Sequence, residues 1–232
     1  SPAGLITESD CAPVRKMVLA VGAPYRYVSI SAAELQDYIN ALPRLLTEHH
    51  VITLSGVCTE AIRVENFYGC GSLSLHAVSL GDCVLTQNVY VSNCSAPVAM
   101  ENLKWELGSS IPQNESCITC SASEVTVWKC SFNGYLSPDQ GAVGRGATTI
   151  NRAYYYLRDC EFHNLEIAVD CYCAGHIDII EAEKEVECSG NSIGVYIHIS
   201  GLVLLSNGIP PTLGGVRNVI YGGAIIQNGK FI

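Results

Sequence analysis

Phe67-Tyr-Gly-Cys70-Gly, Val91-Ser-Asn-Cys94-Ser, Trp128-Lys-Cys130-Ser-Phe and Arg158-Asp-Cys160-Glu-Phe are four versions of one short phrase. Each closes an apolar or alternating run and sets a small cysteine ahead of a turn. Successive cysteines of the series lie 24, 36 and 30 residues apart. Recurrence at roughly 20–50 residues marks a stacked fold in which each unit touches only its neighbours. The phrase therefore predicts a parallel β-helix, and it puts function on an elongated outer face rather than in a central pocket.

The rest of the chain agrees with strands and tight turns. Val, Ile, Thr, Tyr and Gly dominate from Val51 onward, as in Ala61-Ile-Arg-Val64, Val125-Thr-Val-Trp128, Ile177-Asp-Ile-Ile180 and Val195-Tyr-Ile-His-Ile199. Gly and Asn, which tolerate left-handed backbone, punctuate the runs at Asn93, Asn133, Gly134, Asn164 and Gly190. Hairpin dipeptides are scarce in this middle region, which disfavours a sandwich or a meander. The fold class expected is all-β: a single-stranded right-handed parallel β-helix, capped by an N-terminal helix and closed by a C-terminal hairpin.

Composition narrows the partners. Of the 232 residues 48% are hydrophobic and only 15% charged, against roughly 25% charged in ordinary soluble domains. The formal net charge is −9, and thirteen scattered Lys and Arg do not make the basic patch that nucleic acid or anionic lipid requires. No apolar run reaches the roughly 18 residues that span a bilayer, so no membrane insertion is expected. Ser1 to Asp10 lacks the basic-then-apolar pattern of a signal peptide.

Twelve cysteines admit two readings. A disulfide framework belongs to small, loop-rich secreted scaffolds. Here the cysteines sit inside strand-like runs such as Val169-Asp-Cys171-Tyr-Cys173, where free cysteine behaves as a small buried hydrophobe. Reduced thiols stacked in the core, and assembly in a reducing cytoplasm, are the expectation.

The ends differ from the middle. Residues 1–30 read as irregular, with one apolar stretch, Met17-Val-Leu-Ala-Val21. Ser31-Ala-Ala-Glu34 is a capping box, and Leu35, Tyr38, Ile39, Leu42, Leu45 and Leu46 follow at helical spacing. This predicts an amphipathic helix over 31–46, kinked or ended by Pro43, that covers the open end of the stack. At the other end, Ile209-Pro-Pro211 closes the coils and Asn228-Gly229 between apolar segments signals a hairpin. The divisions expected are 1–50 for the capping segment, 51–208 for the β-helix and 209–232 for a closing or oligomerising hairpin.

Ala33-Glu-Leu-Gln-Asp-Tyr-Ile-Asn-Ala-Leu-Pro-Arg-Leu-Leu, then Val51-Ile-Thr-Leu-Ser-Gly, then Phe67-Tyr-Gly-Cys-Gly-Ser-Leu-Ser-Leu, resembles the right-handed β-helix tail proteins of phages and prophages of gut bacteria. In that group a capping helix with an internal Leu-Pro precedes the first coil and a Gly-rich corner follows. The similarity covers residues 28–208. It implies a virion component, a tail fibre or tailspike, homotrimeric and close to the host-contacting end of the tail. No catalytic motif and no receptor-specific residue comes with it.

Several constellations are candidates for chemistry. In Asp159-Cys-Glu161-Phe-His163, strand alternation puts Cys160 and Phe162 inward, so Asp159, Glu161 and His163 share the outer face. Carboxylates beside an imidazole can do acid–base work on a glycosidic bond, and Asp170 and Asp178 one coil on extend the cluster. The competing reading is a solvated polar face. The same parity turns Tyr155 outward, where it would stack on a sugar ring. The long interruption at 133–146, which carries Asp139 and Arg145, is the candidate binding loop.

Cys171-Tyr-Cys173-Ala-Gly-His176, with Cys160 and His163, looks like a metal set, but the parity of His176 opposes that of the two cysteines and no zinc-ribbon interval is present. No metal and no cofactor is expected. Glu181-Ala-Glu183-Lys-Glu185-Val-Glu187 fits calcium less well than a charged edge that repels strand association.

Three functions remain open on the sequence: a non-enzymatic attachment segment that binds a bacterial surface glycan; a polysaccharide lyase or glycoside hydrolase using Asp159, Glu161, His163 or Asp170; and a structural stalk without a ligand.

Overall fold

The computed structural model describes residues 23–112, 114–182 and 186–232. The stretch Met17–Val21 and the centre of the Glu181–Glu187 run lie outside the described residues. The chain winds as a right-handed parallel β-helix, and its strands join into one 20-stranded sheet that folds around three faces.

Face 1 stacks Tyr25–Ser31, the start of His49–Cys58, Ser72–His76, Val98–Glu101, Glu124–Trp128, Tyr154–Arg158 and His176–Ile180 in parallel register. Face 2 stacks Ile62–Glu65, Val89–Ser92, Ser116–Ser121, Arg145–Ile150 and Ile167–Cys171. Face 3 carries the shorter Cys83–Leu85, Lys104–Glu106, Ser131–Asn133, Glu161–His163 and Cys188–Ser189. Two long strands, Asn191–Leu205 and Gly215–Gln227, then run across face 2 and face 1 in turn. Parallel pairing thus begins at Tyr25 and continues to Gln227, across both expected boundaries at 50/51 and 208/209.

Corners, not hairpins, join the faces, and one residue type recurs at them for a physical reason. Asn66, Asn93, Asn102, Asn151 and Asn164 all have φ between 52° and 60°. One left-handed residue, or two at Asn151-Arg152, turns the strand through the corner, and Asn tolerates that conformation better than most side chains. The same turn interrupts the inward–outward alternation, so side-chain parity does not carry from one face to the next.

The core is a narrow column of aliphatic and aromatic side chains. Trp105, Phe132 and Phe162 are fully buried and stack one coil upon the next, with ring centroids 5.0 and 5.1 Å apart. The described cysteines are all free thiols. Cys58, Cys83, Cys94, Cys117, Cys120, Cys130, Cys160 and Cys171 are buried in the column. Burial pushes the Cys83, Cys120 and Cys160 thiols up to about 12, which keeps them protonated and inert. Three cysteines depart from expectation. Cys70 is exposed, Cys188 is half-covered, and Cys173 sits half-covered at a corner with φ 50° rather than beside Cys171. The four-phrase repeat also mixes corners. Only Cys130 and Cys160 occupy equivalent places one coil apart, since Ser131 pairs with Glu161, whereas Cys94 sits beside Phe67 rather than Cys70.

The N-terminal end is capped as expected, with one correction. Ser31 accepts from Ala33 N–H while Glu34 reaches back to Ser31 N–H, which completes the capping box. The helix that follows is Leu35–Ala41, not 31–46. It stops before Leu42-Pro43, because the residue before proline avoids helical backbone, and Leu45–Leu46 is a short strand. Leu35 and Ile39 bury into the end of the core. Gln36 accepts from Arg63 N–H at 2.6 Å and donates to Arg63 C=O at 3.3 Å. That side chain satisfies the free edge of the first strand of face 2, which removes a site for strand-on-strand association. At the far end Ile226 and Gln227 pair antiparallel with Phe231 and Lys230 through Asn228-Gly229, both at positive φ.

The 133–146 interruption is a hairpin rather than an open loop. Tyr135–Ser137 pairs antiparallel with Gly141–Val143. Gly134 starts it because a Cβ there would sit 2.3 Å from Asn164 C=O.

Candidate binding groove

The outer surface of face 2 holds three adjoining recesses. The first, about 610 Å³, lies over Arg63, Tyr90 and Thr119. The second, about 260 Å³, shares Thr119 with it and extends to Arg145, Thr148 and Tyr172. The third, about 380 Å³, runs from Arg145 and Tyr172 to Tyr196, Arg217 and Tyr221. Register explains the order. Tyr90, Thr119, Thr148, Asp170 and Tyr196 occupy one outward column, each one coil beyond the last. Adjacent coils are about 4.8 Å apart, so the column follows the long axis of the protein.

The centre of the groove is polar and only partly satisfied. Arg145 Nη1 donates to Asp170 Oδ2 at 2.7 Å, and Arg145 Nη2 donates to Asn114 Oδ1 at 3.3 Å. Asp170 has no exposed surface, and its Oδ1 has no partner among the described residues. Arg145 Nε, Glu166 Oε2 and His198 Nε2 are likewise buried without partners. Burial raises the Asp170 carboxyl to about 7, against the opposing pull of the Arg145 guanidinium. Burial, with Arg145 nearby, lowers the His198 imidazole. Four unpartnered polar atoms around one recess make it a place for a polar ligand or ordered water.

Aromatic rings flank this centre. Tyr172 and His198 stack at 3.9 Å with 12° between planes, Tyr196 lies 4.2 Å from His198, and Tyr221 meets Tyr196 edge-on at 5.9 Å. These rings offer flat apolar faces with a polar rim, which suits the alternately apolar and hydroxylated surface of a sugar ring.

The residues expected to form a site do not converge. Asp159 is not on the outer face. It occupies a corner at φ 51° and is buried, where its carboxylate accepts from Trp128 Nε1 at 3.2 Å and Ala182 N–H at 2.7 Å. Glu161 and His163 do point outward, 3.8 Å apart, but on face 3, where His163 Nδ1 meets Ser189 Oγ at 2.9 Å. Asp170 belongs to face 2, round the next corner at Asn164. Asp178 is on face 1, hydrogen-bonded to His176 at 2.7 Å and to the Tyr154 hydroxyl. The supposed acid–base cluster is therefore divided among three faces and a corner.

Tyr155 is also corrected: it is fully buried in the core, while Tyr154 and Tyr156 face outward. Strand alternation does not run back from Glu161 to Tyr155, because the left-handed corner at Asp159 interrupts it. Asp139 lies exposed in the hairpin turn, where Ser137 Oγ accepts from its N–H at 3.4 Å. Of the expected binding residues only Arg145 lines the groove, and Asp170, from the catalytic set, lies buried beneath it as its ion-pair partner. Cys160, Cys171, His163 and His176 fall on different faces or inside the core, and no group of metal-ligating side chains occurs among the described residues.

The sequence reading missed Thr148, Tyr172, Tyr196, His198 and Tyr221. Val195-Tyr-Ile-His-Ile199 carried the signal: its alternation puts Tyr196 and His198 outward together. What it lacked was the register that sets them beside Arg145.

No protein-family model matches the chain. No curated protein matches it either. Among solved structures, a pectate lyase from Bacillus sp. N165, crystallised with trigalacturonate, aligns with 90% of this chain and 81% of its own at 12% identity and a TM-score of 0.38.

Proposed function

We propose that this chain binds an extended glycan along face 2, as the attachment segment of a phage tail fibre or tailspike that contacts a bacterial surface. One observation carries the glycan part: the recesses adjoin along the coil axis and are open to solvent, with tyrosines beside a partly satisfied polar centre. A linear polymer can lie along such a groove, whereas a small metabolite would leave most of it empty. The virion part rests on the resemblance of the capping segment and first coils to β-helix tail proteins. Free core thiols suit assembly in a reducing cytoplasm. Exposed Val216, Phe231 and Ile232 at the C-terminal end supply an apolar surface for a homotrimer. No described helix is long and apolar enough to cross a membrane.

The test is binding of fluorescent protein to intact bacteria and purified surface polysaccharides, with Tyr172→Ala and Tyr196→Ala as variants. Binding that weakens in both variants supports the reading. Binding indifferent to both places the ligand elsewhere and overturns it. Light scattering of the purified protein at micromolar concentration checks the trimer, which a monomer would exclude.

A second reading, a carbohydrate-active enzyme, is favoured by one feature. A carboxyl held near pKa 7 can exchange a proton with a glycosidic oxygen at neutral pH, and Glu166 borders the same recess. It ranks second because Asp170 has no exposed surface, so a glycan in the groove meets Arg145 first. Product release from a bound polysaccharide, abolished by Asp170→Asn with binding retained, would reverse the ranking.

A further inference from the structure

We infer that the stretch of groove between Arg145 and Arg217 selects an acidic polysaccharide, whose carboxylates sit on the two guanidiniums while its sugar faces rest on Tyr172, Tyr196 and Tyr221. This deepens the glycan-binding reading and rests on it.

The first support is local charge. The chain as a whole carries −9, yet the third recess is bordered by Arg145 and Arg217 against one carboxylate at its surface, Glu166. Arg217 is exposed and makes no ion pair among the described residues. Arg145 is held by Asp170 and Asn114, each through one terminal nitrogen, and retains an unused Nε–H. Its guanidinium is thereby fixed in orientation before a ligand arrives, which lowers the entropy cost of forming a forked contact with a carboxylate.

The second support is spacing. Arg145, Ile167, Ile193 and Arg217 are successive members of one column of face 2. Three coil steps separate the two arginines, about 14 Å at the usual spacing between strands. A single acidic sugar cannot touch both. A polymer with recurring carboxylates can, and Tyr172 and Tyr196 lie on the two intervening coils while Tyr221 shares the coil of Arg217.

In this picture Asp170 is a positioning residue. It aims Arg145, and its burial beneath the guanidinium keeps it from competing with the ligand for the outer hydrogens.

The experiment measures binding of the full chain to a panel of bacterial capsular polysaccharides. Each uronate-containing polymer is used as purified and after reduction of its carboxyls to alcohols. The expected result is binding to native acidic polymers, with a loss of roughly tenfold or more on carboxyl reduction and in Arg217→Gln, as for a hydrogen-bonded charge pair. Binding should also weaken with salt. Arg217 is exposed, so its replacement leaves the fold intact even if Arg145→Gln does not. Equal binding to native and reduced polymers, or full binding by Arg217→Gln, overturns the acidic selectivity while leaving the groove as a glycan site. Binding to no polymer in the panel overturns the glycan reading and this inference with it.

Discussion

Arg145 and Asp170 stand one coil apart on face 2 with 2.7 Å between guanidinium and carboxylate, yet the carboxyl titrates near 7 rather than near 3.8. Desolvation outweighs the ion pair, a common outcome when a charge has no exposed surface. The folded state therefore keeps a proton that the unfolded chain releases from about pH 4 upward. Stability contributed by this group is greatest in acid, is lost between about pH 4 and 7, and loses nothing further above that. Asp170→Asn is expected to flatten that part of the profile, so its stability relative to the parent rises from pH 5 to pH 8. Denaturant midpoints at the two pH values check this, and a constant difference would refute it.

Asp159 is expected to matter for folding and not for ligand. Its buried carboxylate holds Trp128 and Ala182, and Asp159→Ala leaves both donors unmet. The expected cost is about 2–3 kcal/mol in urea unfolding, with polysaccharide affinity unchanged.

Tyr155 gives the opposite contrast. Its hydroxyl is buried with no partner among the described residues. Tyr155→Phe should be neutral or stabilise by up to about 1 kcal/mol, because it removes an unmet polar group from an apolar site. Tyr155→Ala should cost about 3–5 kcal/mol through the cavity it leaves. Thermal melts check the contrast: the midpoint of Tyr155→Phe should not fall, whereas that of Tyr155→Ala should fall steeply.

The thiols can be ranked by reactivity. Among the described cysteines Cys70 is the exposed one, so brief alkylation of the native protein should label Cys70 first and Cys173 and Cys188 more slowly. Cys117, Cys120, Cys130 and Cys160 should react only on unfolding, since burial raises their thiols and blocks access. Mass spectrometry of the labelled peptides reads the order directly.

These contrasts also mark how far the residues alone could be read. Winding, cap and terminal hairpin were legible because each has a local cause: Asn at corners, the Ser31–Glu34 box, and Asn228-Gly229. The groove was not, because it is made across coils. Arg145 and Asp170 are 25 residues apart, and only the register of Arg145–Ile150 on Ile167–Cys171 brings them together. The sharpest errors, Asp159 and Tyr155, share one origin. Alternation is a rule for a single strand, and a left-handed residue at position 159 ends its authority.

The column register has a further consequence for how such a surface can change. Every full turn of the winding lengthens the trough by one step of about 4.8 Å and leaves its cross-section as it was. Inserting or deleting a whole turn would thus act like altering a ruler, setting the length of trough open to any ligand. Exchanging the 135–143 hairpin at the adjoining corner would instead alter the neighbourhood of the trough without changing its length. Reach and preference are in that sense adjustable by separate mutations.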